Sequence, residues 1–232
     1  MADRPQTPSL TMWLYLAIKR LFDVLGALLA LVVLSPVMAI VALAIRLDSK
    51  GPIIYCQERV LGGQSPDTAH PERNTFTFFK FRSMHVNNDP SAHREFMRQF
   101  MAGQSDTNNG SAHQPLYKLK HDPRITRVGA IIRRTSLDEL PQLLNILRGD
   151  MSWVGPRPAI PYEVEHYADR ALQRLIPQAG LTGLWQVSGR TTLTFDEMIE
   201  LDIAYSQRRS LWLDLSILVR TVPAILSRDG AW

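Results

Sequence analysis

An apolar segment near the N-terminus limits what this chain can fold into more than any other feature. Residues 24–45 carry no charged side chain, and basic residues flank them on both sides. As a straight helix the segment would be about 33 Å long, which is enough to cross a hydrocarbon core of about 30 Å. A lipid bilayer is therefore its expected environment. The flanking basic residues are Lys19, Arg20, Arg46 and Lys50.

Ser35 and Pro36 interrupt this segment near its middle. Proline lacks a backbone N–H and its ring clashes with the preceding turn, so a helix kinks or breaks there. Arms of about 18 Å and 14 Å would each be too short to reach the far leaflet. Basic flanks at both ends also favour a segment that enters and leaves on the cytoplasmic side. We therefore predict a re-entrant helix-break-helix hairpin over residues 19–50, broken at Ser35-Pro36.

Two alternatives to the re-entrant hairpin stay open. One is an ordinary kinked transmembrane helix, because prolines are tolerated in lipid, and the other is a signal peptide, although no clear small-residue cleavage site follows. The chain has 232 residues, which suits one domain plus an anchor. The predicted organisation is an N-terminal segment at 1–18, the anchor at 19–50 and a cytosol-facing domain at 51–232.

Charge and cysteine usage narrow the class of protein. The formal net charge is +4, which favours anionic partners such as phosphorylated substrates, acidic lipid headgroups or nucleic acid. The single cysteine, Cys56, excludes an intrachain disulfide and any cysteine-rich metal site. Nothing in the sequence calls for an oxidising compartment.

The remainder of the chain indicates an α/β fold that is mainly α. Two segments rich in β-branched and aromatic residues, 51–60 and 74–84, are predicted to pair as a short β-hairpin. Residues 92–101 show helical spacing of apolar side chains, which fits either packing on the core or contact with the membrane interface. Polar stretches at 62–73 and 102–115 are predicted surface loops. Further helices are expected at 161–176, 194–209 and 211–226, and the last of these is expected at the interface.

Two adjacent carboxylates, Asp138 and Glu139, form the strongest candidate site. Their structural interpretation is a capping box, in which Ser136 and Glu139 satisfy the first amides of a helix. Pro141 complicates that interpretation, because it would fall in the second turn of such a helix but would suit the first position of a helix that starts slightly earlier. The boundary of this helix stays open from sequence.

Arginines surround the two carboxylates along the sequence. One guanidinium group can bind two phosphate oxygens at once. Glycine and proline near the arginines fix the backbone, so that little conformational freedom is lost on binding. Carboxylate oxygens bind Mg²⁺, so acids and arginines together indicate a pyrophosphate site with a divalent cation at Asp138 and Glu139. No glycine-rich nucleotide loop of a known kind is present in the sequence. The arginines are Arg133, Arg134, Arg157 in the frame Gly155-Pro156-Arg157-Pro158, and Arg190.

Several long motifs occur in the same order as in one known family. They are KRLFDVLGALLALVVLSP, KFRSM, RRTSLDELPQLLNILRGDMSWVGPRP, GLTGLWQVSGR and ELDIAYSQRRSLWLDLSIL. Over residues 17–228 the chain closely resembles the bacterial monotopic phosphoglycosyl transferases, which begin the assembly of lipid-linked glycans. The chain resembles the minimal form of that family, or a catalytic domain excised from a longer relative. The resemblance makes residues 51–232 the expected catalytic domain.

The resemblance implies a two-step transfer of a sugar phosphate from a UDP-sugar to undecaprenyl phosphate, with release of UMP. Asp138 matches the family's nucleophile, and Glu139 matches a residue that acts as a Mg²⁺ ligand or in proton handling. The positions Lys80, Arg133, Arg157 and Arg190 match positive positions expected to hold phosphates, and Ser35-Pro36 matches the family's helix break. The implied location is the cytoplasmic face of the bacterial inner membrane, with membrane lipids as further partners and a homodimer as one possible assembly.

Two other functions would explain part of the sequence. A non-catalytic scaffold on the membrane surface explains the anchor and the charge, but it gives no reason for carboxylates among arginines. A nucleic-acid binder explains the charge only, so nucleic acid is not an expected partner. The sequence does not identify the sugar, the glycan pathway (exopolysaccharide, O-antigen, capsule or glycoprotein glycan), the oligomeric state or the role of the two polar loops.

Overall fold

The computed structural model describes residues 9–63, 71–86, 91–101, 122, 124–189 and 193–226. Within these residues the fold is mainly helical, as predicted, and it contains two small sheets. The helices are α1 (Leu10–Asp48), α2 (Ser91–Met101), α3 (Arg127–Arg134), α4 (Gln142–Arg148), α5 (Pro161–Val164), α6 (Leu184–Ser188), α7 (Phe195–Arg208) and α8 (Leu211–Leu226). The strands are β1 (Ile54–Val60), β2 (Thr75–Phe81), β3 (Met151–Val154) and β4 (Ala179–Thr182), and short 3₁₀ helices occur at Pro71–Arg73, Leu137–Glu139 and Ala171–Leu175.

Helix α1 is one helix of 39 residues that begins well before the predicted anchor and continues through Pro36. The predicted division into two separate helices at Ser35-Pro36 is therefore not observed, whereas the re-entrant path stays a prediction. Pro36 has no N–H to donate to the carbonyl of Val32, four residues earlier. The Ser35 hydroxyl donates to that same carbonyl at 2.8 Å. This local replacement allows the helix to continue, and such side-chain bonds commonly bend helices.

Two separate stretches of α1 pack against the same body of the protein. Ala27 is buried in a core with residues of β2, α4 and β3. Val41 and Ile45 are buried against Phe81 and Ile132, which lie in β2 and α3. The apolar side chains between and around these contacts are exposed, and length and composition make α1 a candidate membrane span. These exposed side chains include Leu28, Leu29, Val32, Val33, Val37 and Ile40.

The predicted β-hairpin is confirmed, because β1 and β2 pair antiparallel with Tyr55 opposite Lys80. A second sheet was not predicted: β3 and β4 are four-residue strands that pair in parallel. Gly155 and Gly180 allow this close approach, since a Cβ on Gly180 would lie 2.1 Å from the backbone nitrogen of Gly155. The sheet matters for function because the Arg157 motif leaves directly from the end of β3.

The amphipathic helix predicted at 92–101 is confirmed as α2. Met97 and Phe100 are buried in a core with Trp185 and Met198, so these two side chains pack inside the protein. The side chain of Phe96 and the loop predicted at 102–115 lie outside the described residues, as does most of the loop predicted at 62–73.

The two C-terminal helices are confirmed. Helix α7 follows a capping box in which the Thr194 hydroxyl accepts from Glu197 N, and α8 has the predicted bounds. Trp212 of α8 is 79% exposed, which is consistent with the predicted interfacial position.

The single helix predicted at 161–176 is wrong. Helix α5 ends after four residues, and a 3₁₀ helix follows at Ala171–Leu175. Val164, Ala171 and Leu175 are all buried. Their spacing in the sequence therefore predicted burial correctly, although the helix is not continuous. The intervening turn brings the Tyr167 hydroxyl to the guanidinium of Arg174.

Candidate active site

Strand β2 and the 3₁₀ helix at Leu137–Glu139 bring a lysine to the two adjacent carboxylates. Lys80 Nζ donates to Glu139 Oε1 at 2.8 Å and lies 3.6 Å from Asp138 Oδ2. All three side chains are largely but not fully enclosed, with exposed fractions of 17%, 21% and 11% respectively. Water can therefore reach them, and their charges are only partly screened by solvent.

The capping box predicted for Ser136 is wrong. Ser136 makes no capping hydrogen bond through its side chain and adopts a left-handed conformation with φ of 56°. Helix α4 begins at Gln142, with Pro141 at its N-cap, so both carboxylates precede that helix. A left-handed residue reverses the local chain direction, and this turn joins the end of α3 to the 3₁₀ helix that carries Asp138.

Asn145 fixes Lys80 relative to the carboxylates. Its side-chain amide donates to the carbonyl of Thr77 at 2.7 Å, and its oxygen accepts from the backbone N–H of Phe79 at 3.1 Å. The Asn145 side chain thereby bonds to backbone groups of β2, as the backbone of a neighbouring strand would. Asn145 itself is fully buried, which limits the competition of water for these bonds. The sequence analysis missed this residue, because an asparagine inside an apolar helix gives no local signal of its partner.

Arg157 reaches Glu139 from the loop that follows β3. Its guanidinium Nη1 lies 3.4 Å from Glu139 Oε1, so Glu139 contacts both Lys80 and Arg157. The backbone around this loop is held by bonds from Gly155 N to Thr182 O and from Gly180 N to Pro156 O. The parallel pairing of β3 and β4 thus sets where Arg157 begins.

Arg133 lies in the last turn of α3, close enough to Asp138 for their charges to interact. Burial lowers the pKa of its guanidinium, and the nearby negative charge of Asp138 opposes that change. The charges of Asp122 and Arg124 also act on Arg133. Arg124 Nη2 and Asp122 Oδ2 form an ion pair at 2.7 Å, which lowers the pKa of Asp122. The sequence analysis did not identify this ion pair. Its only local sign is that a single proline stands between the two residues.

The structure therefore brings Asp138, Glu139, Lys80, Arg133 and Arg157 into one cluster. Arg190, the remaining predicted phosphate ligand, lies outside the described residues. Within the part of the chain that the structure describes, no group of three or more acidic, histidine or cysteine side chains could hold a metal ion. The adjacent carboxylates still fit Mg²⁺, which commonly binds through one or two carboxylates and takes its other ligands from water and substrate phosphates.

A long apolar helix that carries a compact body with a cluster of carboxylates and cations defines a membrane-associated protein with a site suited to anions. Residues 14–228 match the family described as bacterial sugar transferase, and the chain belongs to that family. The resemblance found in the motifs is thereby confirmed.

Three relatives show how far the similarity extends. The chain is 40% identical over 215 residues to an undecaprenyl-phosphate galactose phosphotransferase of Salmonella typhimurium, covering 93% of this chain and 42% of that protein. It is also 40% identical over 215 residues to the exopolysaccharide production protein ExoY of Sinorhizobium fredii, covering 92% of this chain and 88% of that protein. A UDP-glucose:undecaprenyl-phosphate glucose-1-phosphate transferase of Caulobacter vibrioides is 38% identical over 222 residues, covering 92% and 72%. The chain thus spans less than half the length of the Salmonella relative.

Proposed function

We propose that this protein is a phosphoglycosyl transferase that moves a sugar 1-phosphate from a UDP-sugar to undecaprenyl phosphate. The observation that carries the proposal is the cluster of Asp138 and Glu139 with Lys80 and Arg157, at distances of 2.8 to 3.6 Å. The names of relatives that act on undecaprenyl phosphate support the choice of acceptor. Family membership without this cluster would leave the chemistry open.

Asp138 is the proposed nucleophile. One carboxylate oxygen attacks the phosphorus that bears the sugar, the bond from that phosphorus to the bridging oxygen of the diphosphate breaks, and UMP leaves with the electron pair. The resulting acyl phosphate keeps the sugar on Asp138. A phosphate oxygen of undecaprenyl phosphate then attacks the same phosphorus, which regenerates the carboxylate and gives the lipid diphosphosugar. The two steps make the kinetics ping-pong.

The basic side chains have electrostatic roles in both steps. Lys80, Arg133 and Arg157 neutralise charge on the diphosphate, and such fixed charges in a partly enclosed site stabilise developing negative charge without reorganisation. Arg190 is proposed as a further phosphate ligand. The contacts of Glu139 with Lys80 and Arg157 keep these two cations beside the carboxylates before substrate arrives.

Mg²⁺ is the proposed cofactor, held by Asp138 and Glu139. When bound, it would neutralise phosphate charge and orient the diphosphate beside the carboxylates. Whether Glu139 acts chiefly as a ligand or in proton handling is decided by the dependence of the Glu139→Gln variant on Mg²⁺ concentration. A ligand role requires that this variant need more Mg²⁺ for half-maximal rate than the unmodified protein.

The packing of α1 supports a re-entrant path in the membrane. Ala27 and Ile45 contact the same body, and about 27 Å of straight helix would separate them. A crossing helix would place its two ends on opposite sides of the bilayer, where one compact body cannot contact both. A helix that turned back at Ser35-Pro36 would satisfy both contacts from one side of the bilayer. We propose the cytoplasmic face of the inner membrane as that side, because the basic residues on both flanks of the apolar segment favour it.

The direct test uses purified protein with undecaprenyl phosphate, Mg²⁺ and a panel of UDP-sugars, with UMP release as the readout. We expect release with at least one sugar, and a donor labelled in the sugar-bearing phosphate should label the protein when the acceptor is omitted. Asp138→Asn should show neither turnover nor labelling. Turnover at a near-normal rate in that variant would overturn the nucleophile assignment, and no release with any sugar would favour a scaffold.

A further inference from the structure

Three buried basic side chains donate to the backbone of one short loop. We define the Arg157 loop as residues 154–158, which link β3 to the segment before α5. Lys19 Nζ donates to the carbonyl of Val154 at 3.0 Å, and Arg59 Nη1 donates to the carbonyl of Pro158 at 2.9 Å. Arg174 Nη2 donates to the carbonyl of Arg157 itself at 3.3 Å. Three cations therefore bind the loop that presents Arg157 to Glu139.

These cations come from three distant parts of the chain. Lys19 belongs to α1, Arg59 to β1, and Arg174 to the 3₁₀ helix at Ala171–Leu175. Each is at least nine-tenths buried. Each cation belongs to a different element. The loop is therefore fixed relative to α1, to the β-hairpin and to the 3₁₀ helix at Ala171–Leu175.

Two of the cations are paired with buried carboxylates. Lys19 Nζ lies 2.7 Å from Asp214 Oδ2, and Arg174 Nη2 lies 2.7 Å from Asp202 Oδ2. Arg59 donates to the side-chain oxygen of Gln57 at 2.8 Å. Buried ion pairs lose much of their hydration, and apolar side chains of the same size are often equally stable in their place. Stability alone therefore does not explain why three cations meet at one loop.

We propose that Lys19, Arg59 and Arg174 are positioning residues that hold Arg157 in place to bind the diphosphate of the substrate. They act through the backbone of the Arg157 loop, by fixing carbonyls on both sides of Arg157 and the carbonyl of Arg157 itself. Small displacements of a phosphate-binding group lower the rate strongly, because phosphoryl transfer depends on position and electrostatics. This inference rests on the proposed function, since it assigns the role of Arg157 in that site.

The test is a double-mutant cycle between Arg59 and Arg157. Arg59→Met should lower kcat/KM for the UDP-sugar by about tenfold in the unmodified background. If Arg59 acts through Arg157, the same change made in an Arg157→Ala protein should lower kcat/KM by less than about twofold. Arg59→Lys, which keeps one donor, should recover part of the loss. Single-turnover UMP release measures the slow variants.

Lys19 provides a second cycle with a matched control. Lys19→Met combined with Asp214→Asn removes the cation without leaving a buried carboxylate alone, and it should also lower kcat/KM only when Arg157 is present. Tyr15→Phe removes one hydrogen bond to Asp214 Oδ2 from the same network, yet Tyr15 bonds to no carbonyl of the loop. Its kcat/KM should stay within about twofold of the unmodified protein.

Either of two results would overturn the positioning role. One is a loss of the same size with and without Arg157, which would indicate a general structural defect, and the other is no loss at all. If no UDP-sugar gives UMP, the proposed function itself has failed. The same cycle is then repeated with the affinity for inorganic pyrophosphate, measured by calorimetry, as the readout. The loss of affinity in the double variant should again be smaller than the sum of the losses caused by Arg59→Met and Arg157→Ala. If Arg59→Met does not fold, the Lys19 cycle decides.

Discussion

Lys80 Nζ is closer to Glu139 Oε1, at 2.8 Å, than to Asp138 Oδ2, at 3.6 Å. The lysine therefore forms its hydrogen bond with the second carboxylate and only a longer ionic contact with the first. This asymmetry fits the different roles proposed for Asp138, as the nucleophile, and Glu139, as the residue that holds Lys80.

Glu139→Gln should lower the rate of UMP release by about 100-fold, because it removes the charge that holds Lys80 and Arg157 beside Asp138. Steady-state UMP release checks this change. Glu58→Gln is the matched control, since Glu58 is an exposed acid of β1. An equal loss in the control would point to an effect of net charge and would contradict the local role of Glu139.

Asn145→Ala should lower the free energy of unfolding by about 2 to 4 kcal/mol, because it leaves the partly buried N–H of Phe79 and carbonyl of Thr77 without their side-chain partner. The rate should fall as well, since β2 carries Lys80. Urea unfolding in detergent gives the stability. Thr182 is also buried, but its hydroxyl bonds to that of Thr221 on α8 at 2.8 Å, so Thr182→Val is a comparison that leaves β2 intact. A rate loss of the same size in that variant would argue against a specific effect through Lys80.

The path of α1 can be tested by labelling single cysteines from each side of the membrane. In a Cys56→Ser background, cysteines placed at Thr7 and Asp48 should both react from the cytoplasmic side. Reaction from opposite sides would show that α1 crosses the bilayer and that the re-entrant prediction is wrong.

The combined change Ser35→Ala and Pro36→Ala tests the proposed bend. Pro36→Ala restores the N–H that can bond to Val32, and Ser35→Ala removes the hydroxyl that now does so. A straighter helix should strain the contacts at Val41 and Ile45 and reduce activity by several-fold. Unchanged activity would show that the bend at this pair is not needed for the site.

Asp202 makes a pH-dependent contribution to stability. Burial raises its pKa to about 6, although the cation of Arg174 opposes this change. Because the folded state binds this proton more tightly than the unfolded state does, the contribution of Asp202 falls as pH rises from about 4 to about 6 and is constant above that. The difference in unfolding free energy between the unmodified protein and Asp202→Asn should therefore decline over this interval by on the order of 1 to 3 kcal/mol. A difference independent of pH would contradict the raised pKa.

Local patterns predicted the elements whose partners are close in sequence or whose periodicity is strong. The β-hairpin, α7 and α8 follow from alternation, capping and apolar spacing, and the acids with Lys80 and Arg157 follow from residue chemistry and the order of motifs. The parallel pairing of β3 and β4 could not be predicted, because four-residue strands carry too little pattern. The roles of Asn145 and Lys19 depend on partners 66 to 195 residues away, which local spacing does not encode.

Two predictions were wrong because a local sequence pattern does not by itself fix the backbone conformation. Residues 161–176 bury their apolar side chains at helical intervals, yet the chain turns between α5 and the 3₁₀ helix. Ser136 likewise matched a capping pattern, while its left-handed backbone places it in a turn. The first error arises because periodicity reports which side faces the interior and says little about the backbone path between contacts. The second arises because a capping motif does not fix the backbone conformation of its first residue.

Helix α1 supplies polar partners to the interior of the domain that it carries. Arg20 donates to the last carbonyls of α4, including Leu147 at 2.7 Å, and Asp23 accepts from Ser152 and from the backbone of Trp153 at 3.0 Å. An unrelated membrane helix grafted in its place would deliver the domain to the bilayer but leave these buried groups without partners. A soluble version obtained by removing α1 would therefore begin from a damaged core.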